Sequence, residues 1–304
     1  MLNLRSVSTR SKTLIPAWAF ISLATNGLLM LTTILLLNRD RWLPVRFQSS
    51  DSTSQMQTSP DLSTSLMSKT LAPQPTLGQR HQLSYQQWVA LLGREAEVIA
   101  ANKPPNLTVL AGDSLSLWFP PELLPSDAPS GTRRDRTWLN QGISGDTSAG
   151  LLNRLYVFDQ TEPSTIFVMI GINDLLRGGK DQTILANQRR IIRYLRRVHP
   201  QAEIVIQSIL PHSGARSTFR ARDRLSEVPN SRIRKINQQL GAIARSEGVN
   251  YLNLYPLFSN SQGDLQLDLT TDGLHLNSQG YLVWRSALVL FMGLQLEPAN
   301  AKIN

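Results

Sequence analysis

Five short apolar runs, alternating with longer stretches of helical periodicity, constrain this chain more than any other feature. The runs are Leu107 to Ala111, Thr137 to Asn140, Ile166 to Ile170, Glu203 to Ser208 and Asn250 to Leu254. Helical spacing covers Ala149 to Phe158, Asp181 to Val198 and Arg232 to Glu247, and a last helix is expected over Gln279 to Leu294. Such runs, four to six residues long with little polar alternation, suit strands buried on both faces. Connections of this length leave room for crossover helices, so the pattern predicts an α/β chain with a parallel sheet covered on both sides. One more helix is expected over Leu83 to Ala101, where Trp88, Leu91, Leu92, Ala96 and Ile99 fall at helical spacing before Lys103-Pro104-Pro105. It opens a folded domain placed at 80–304.

Ahead of that domain the composition changes twice. Leu14 to Leu37 holds no charged residue over 24 positions, about 36 Å as a helix at roughly 1.5 Å per residue, enough to span a bilayer. A cleaved leader has a shorter apolar core and a small-x-small site after it, whereas Leu37 is followed by Asn38-Arg39-Asp40-Arg41-Trp42. The expectation is one uncleaved transmembrane helix at 14–37, a cytoplasmic tail at 1–13 and the folded domain outside, in a periplasmic space. Trp18 and Trp42 would mark its two interfaces. From Gln48 to about Gln79 the chain is rich in Ser, Thr, Gln and Pro, with too few large apolar residues to offset the entropy of ordering, and 38–79 reads as a flexible linker.

With no cysteine in the chain, disulfides and thiolate chemistry are excluded, so a nucleophile must be an alcohol, an amine or a carboxylate. The first apolar run ends at Gly112-Asp113-Ser114-Leu115, where a glycine bend projects a serine from a strand's carboxyl end. Open α/β sheets gather their ligands at that end. Three further polar clusters can join the same rim: Asn140 to Thr147, Gly171-Ile172-Asn173-Asp174 and Asp272-Gly273-Leu274-His275. An activated serine needs a base, and the base needs a carboxylate to fix its tautomer; Asp272 and His275, three apart on one turn, supply both. Donors for a tetrahedral oxyanion are available from the Ser114 N–H, the Gly145 N–H and the Asn173 amide. Position 116 is Ser116 rather than glycine, which disfavours the Gly-x-Ser-x-Gly elbow of α/β-hydrolases.

These four segments, in this order, resemble the SGNH hydrolases, also called GDSL-type esterases and lipases. Gly112-Asp113-Ser114-Leu115 is similar to the first block of that family, Gly145 to the glycine of its second, Asn173 to the asparagine of its third, and Asp272-x-x-His275 to its last. The likeness covers about Leu107 to Tyr281. It implies a flavodoxin-like three-layer α/β/α sandwich with about five parallel strands, and hydrolysis of acyl esters without metal or other cofactor. It assigns Ser114 as nucleophile, His275 as base, Asp272 as its orienting carboxylate, and Ser114, Gly145 and Asn173 to the oxyanion hole.

Other residues carry weaker expectations. Ser144, beside Gly145, and His212, after the fourth strand, are candidates for substrate contact. Arginines in the loop after that strand, chiefly Arg220 and Arg222 together with Arg216 and Arg224, are candidates for anionic groups on a substrate. Arg189, Arg190, Arg193, Arg196 and Arg197 read as the solvated face of a helix. His81 and His199 read as surface or loop histidines, and Asp113 and Asp174 as turn caps that accept backbone N–H bonds. A net charge of +9 fits an anionic partner, but no nucleic-acid motif accompanies it. The expected activity is a membrane-anchored serine esterase acting on a small-molecule, lipid or glycan ester, lysophospholipase-like or glycan O-deacetylase-like. Acyl transfer on the same fold, or an anchored binding protein, is the alternative.

Overall fold

The computed structural model describes residues 83–125 and 136–296. The expected tail, transmembrane helix and linker, and His81, lie outside the described residues. Among those described, no helix is long and apolar enough to cross a membrane.

The chain enters through α1 (Tyr85–Asn102), whose start is fixed by a capping box between Ser84 and Gln87. Then follow β1 (Thr108–Gly112), the one-turn α2 (Ser114–Leu117), β2 (Trp138–Gly142), α3 (Ser148–Arg154), β3 (Thr165–Met169) and the short α4 (Ile172–Leu176). The second half holds α5 (Asp181–Val198), β4 (Glu203–Gln207), α6 (Arg222–Ser226), α7 (Asn230–Ser246), β5 (Asn250–Leu252), α8 (Tyr255–Phe258) and α9 (Ser278–Phe291). All five expected strands are present, within two residues of their expected ends. The short α2, α4, α6 and α8 carry too few turns to leave a periodic trace in the sequence.

Every pairing in the sheet is parallel, in the order β2-β1-β3-β4-β5. That order reverses direction beside β1, and such a switch point opens a crevice at the carboxyl ends of the strands. Side chains alternate between two cores. Val109, Ile166, Val168, Ile204 and Ile206 pack with Leu151 of α3, Ile191 and Leu195 of α5, and Ile236 and Leu240 of α7. Leu110, Phe167, Met169 and Val205 face the opposite way, onto Phe119, Phe258 and the inner side of α9, with Tyr281, Trp284 and Leu288. Because both sheet faces are covered, the strands need no polar alternation, and β1 and β3 are buried at every position. The sandwich therefore has three layers.

At the crevice, the ends of β1 and β2 must accept α2 at very short range. A Cβ on Gly112 would lie 2.3 Å from the Met169 carbonyl oxygen, so only glycine fits there. Asn140 completes the junction: its Nδ2 donates to the Ser116 carbonyl at 2.6 Å, and its Oδ1 accepts from the Gly142 N–H at 3.0 Å.

Candidate active site

Ser114 is the first residue of α2, which Asp113 caps by accepting the Leu115 N–H at 3.0 Å. At that position its own N–H has no acceptor within the helix. The Ser114 Oγ stands 3.2 Å from His275 Nε2, across 161 residues of sequence. On the far side of the ring, His275 Nδ1 meets Asp272 Oδ2 at 2.8 Å. With a carboxylate at Nδ1 the proton is held there, leaving the Nε2 lone pair for the serine hydroxyl.

The turn that carries the acid and the base is braced on every side. Asp272 Oδ1 accepts the N–H groups of Leu274 at 2.9 Å and His275 at 2.8 Å. Burial alone would raise the Asp272 carboxyl, but these N–H bonds and the bond to the His275 ring outweigh it and hold it below the usual carboxylate range. Its backbone carbonyl accepts Thr218 N–H and Phe219 N–H, both at 2.9 Å, and the Ser217 hydroxyl at 2.6 Å. The imidazole sits between two aromatic rings, Trp118 with centroids 4.3 Å apart and Phe219 edge-on at 5.6 Å. Sequence reasoning assigned no role to either ring; each lies in a loop, and only the fold brings it to His275.

The glycine loop follows β2. Gly145 has φ +75, a conformation that favours glycine, and its carbonyl accepts from Arg177 Nη2 at 2.6 Å. Asn173 is the second residue of α4, after β3, and its Nδ2 donates to the Asp146 carbonyl at 3.0 Å, which fixes the amide beside the glycine loop. The adjoining Asp174 accepts from the backbone N–H of Ser148 at 2.7 Å and from its hydroxyl at 2.6 Å, so it caps the start of α3 rather than its own turn. Ser144 is exposed on the same loop.

The structure corrects His212. It is 2 % exposed, its Nε2 lies 2.6 Å from the Val228 carbonyl and its Nδ1 accepts the Gly214 N–H at 3.0 Å. Both ring nitrogens are used inside the fold, so it is a packing histidine and not a contact for substrate. Burial lowers its affinity for a proton. His199, expected as a surface or loop histidine, follows the end of α5 and is buried, stacked on Phe158 at 5.4 Å. Arg220 and Arg222 are exposed in the segment that supplies Phe219. The arginines of α5 are solvated as expected, with Arg189 and Arg193 bridging to Glu247. Among the described residues no group of His, Asp and Glu gathers as a metal-binding set.

This arrangement can polarise a hydroxyl against a neutral imidazole and offer N–H donors beside it. Comparison with known proteins points the same way. A model described as the GDSL-like Lipase/Acylhydrolase family matches residues 107–283. The chain is 36% identical over 101 residues to an arylesterase of Vibrio mimicus, covering 31% of this chain and 50% of that protein. It is 25% identical over 146 residues to the platelet-activating factor acetylhydrolase IB subunit alpha1 of Bos taurus, covering 47% and 58%. The chain thus spans about half the length of these curated relatives. In fold it is similar to a GDSL-like lipase from Bacteroides thetaiotaomicron, with TM-score 0.52 and 18% identity over 66% of this chain and 96% of that one.

Proposed function

The chain belongs to the GDSL-like lipase/acylhydrolase family, and from that premise we propose that it is a serine esterase whose nucleophile is Ser114. His275 Nε2 takes the Ser114 proton as Oγ attacks the acyl carbonyl, and Asp272 stabilises the imidazolium that forms. The oxyanion of the tetrahedral intermediate is received by the N–H groups of Ser114 and Gly145 and by the Asn173 amide. His275 then returns the proton to the leaving alcohol, and a water activated by the same imidazole releases the acid. The observation that carries this reading is the continuous path from Ser114 Oγ through His275 to Asp272, at 3.2 and 2.8 Å.

Acyl esters of small molecules or lipids are the substrates this reading favours, in keeping with the names of the arylesterase and acetylhydrolase relatives; esters of glycans are the second class to test. The uncharged segment Leu14 to Leu37 supports attachment to a membrane, with the catalytic domain on the outer side. Exposed Arg220 and Arg222 support contact with anionic groups around the scissile ester. Replacing both with alanine then lowers turnover of anionic esters more than that of neutral ones.

The test is turnover of p-nitrophenyl acetate, butyrate and octanoate by the full chain and by Ser114→Ala. The expected result is hydrolysis by the wild type and a loss of at least about 10⁴-fold in the variant. Undiminished hydrolysis by Ser114→Ala would remove the serine from the chemistry.

A further inference from the structure

Arg154 and Asp146 form an ion pair with both side chains only 2% exposed, away from the reacting atoms. Burying two charges costs desolvation that a pair of apolar side chains would avoid, so stability by itself is a poor reason for the pair. Its geometry supplies a better one. Arg154, the last residue of α3, directs its guanidinium three ways: Nε to Asp146 Oδ2 at 2.7 Å, Nη1 to the Gln141 carbonyl at 2.9 Å and Nη2 to the Gly112 carbonyl at 3.0 Å. Gly112 lies two residues before Ser114, Gln141 is the penultimate residue of β2, and Asp146 follows Gly145. The Asp146 carbonyl in turn accepts the Asn173 amide at 3.0 Å. One planar group therefore holds the strand end before Ser114 and the glycine loop directly, and Asn173 joins them through the Asp146 carbonyl. Asp146 is bound from its other side by the Thr147 N–H at 2.9 Å.

We propose that Arg154 is a positioning residue that sets the oxyanion hole, holding the ends of β1 and β2 and the glycine loop in one register without touching substrate. This deepens the serine esterase reading and rests on it. A guanidinium is suited to the task because its donors are coplanar and divergent, whereas a lysine ammonium could satisfy Asp146 but could not also span two carbonyls on different strands. Small errors of donor placement are costly in rate, on the order of 10²-fold for about 1 Å.

The experiment compares the full chain with Arg154→Lys and Asp146→Asn, measuring kcat, KM and Tm with p-nitrophenyl acetate. Arg154→Lys is expected to lower kcat about 100-fold with KM within about twofold, in protein whose circular dichroism matches wild type. Asp146→Asn keeps the two carbonyl bonds and loosens only the glycine loop, so its expected loss of kcat is about 10-fold. A folded Arg154→Lys with kcat within about twofold of wild type overturns the proposal, since misplaced donors cost far more. A rate that falls only in step with the folded fraction overturns it too. Should Arg154→Lys fail to fold, Asp146→Asn decides: unchanged kcat there overturns it. Failure of the esterase reading is distinguishable, because it is seen as wild-type turnover that survives Ser114→Ala.

Discussion

Two aspartates flank the reacting pair, one beside the serine and one beside the histidine, and their surroundings drive them apart. Asp113, in the turn that opens α2, is 1 % exposed; it receives one N–H bond, from Leu115, and its Oδ2 has no hydrogen-bond partner. Burial pushes its carboxyl up to about 7. Asp272, in the other turn, has both oxygens engaged by N–H groups and is held low. The same chemical group is thus disfavoured as an anion on the nucleophile side and a firm anion on the base side. The difference teaches that burial, and the number of donors set against it, decide the charge of a carboxylate beside the reacting pair.

The strongest way to break the comparison is Asp272→Asn. The amide oxygen can keep the bonds from the Leu274 and His275 N–H groups, while the negative charge that orients His275 is removed. A fall in kcat of about 10³ to 10⁴-fold is expected, measured near neutral pH. Because Asp272 is depressed when folded, its contribution to stability is present above the unfolded carboxylate value and disappears as pH falls through the folded one. Asp272 therefore stays charged across any assay on the neutral side of the carboxylate range.

The sharper test on the other side is Asp113→Asn. Its folded value is raised, so the stability it contributes is complete below the unfolded value near 4 and is lost as pH climbs through about 7. Wild type is accordingly expected to lose stability toward pH 8 relative to the variant, by of order 2–4 kcal/mol, visible as a widening gap in Tm between pH 5 and 8. A constant gap over that interval would show that Asp113 does not titrate there.

The smallest effect is expected at Gly145→Ala, in the loop that Arg177 and Asn173 hold from either side. The nearest atom to an added Cβ is Arg177 Nη2 at 3.5 Å, so space is adequate and the cost comes from φ +75 alone, about 1–2 kcal/mol. A lowered Tm and a kcat reduced about 10-fold with KM little changed are the expected outcome, read from thermal melts and p-nitrophenyl acetate kinetics. Full activity would mean that alanine adopts this conformation without displacing the loop N–H.

How far the sequence can be read follows the same division. Asp272 and His275 are three residues apart, and the chemistry of a base with its carboxylate can be recognised in so short a string. The run into Gly112-Asp113-Ser114 is legible for a similar reason, because buried strand, bend and serine are contiguous. Arg154 was not legible: it lies in a helix where arginine is ordinarily solvated, and its partners Gly112, Gln141 and Asp146 belong to separate segments. His212 was misread because a polar residue after a strand end looks like a rim residue, until Asn230 at the start of α7 and the Val228 carbonyl are seen to close around it.

By itself, then, the amino-acid sequence determined the parallel α/β class, the positions of its five strands and the local pieces of chemistry, since each rests on periodicity or on residues a few positions apart. Only the tertiary structure decided the strand order, the 3.2 Å approach of Ser114 to His275, the rings of Trp118 and Phe219 around the imidazole, and the three-way grip of Arg154. Those depend on which distant segments share the carboxyl rim of the sheet. That sharing is set by burial of two opposed core faces, a property of the whole packed chain and of no single stretch.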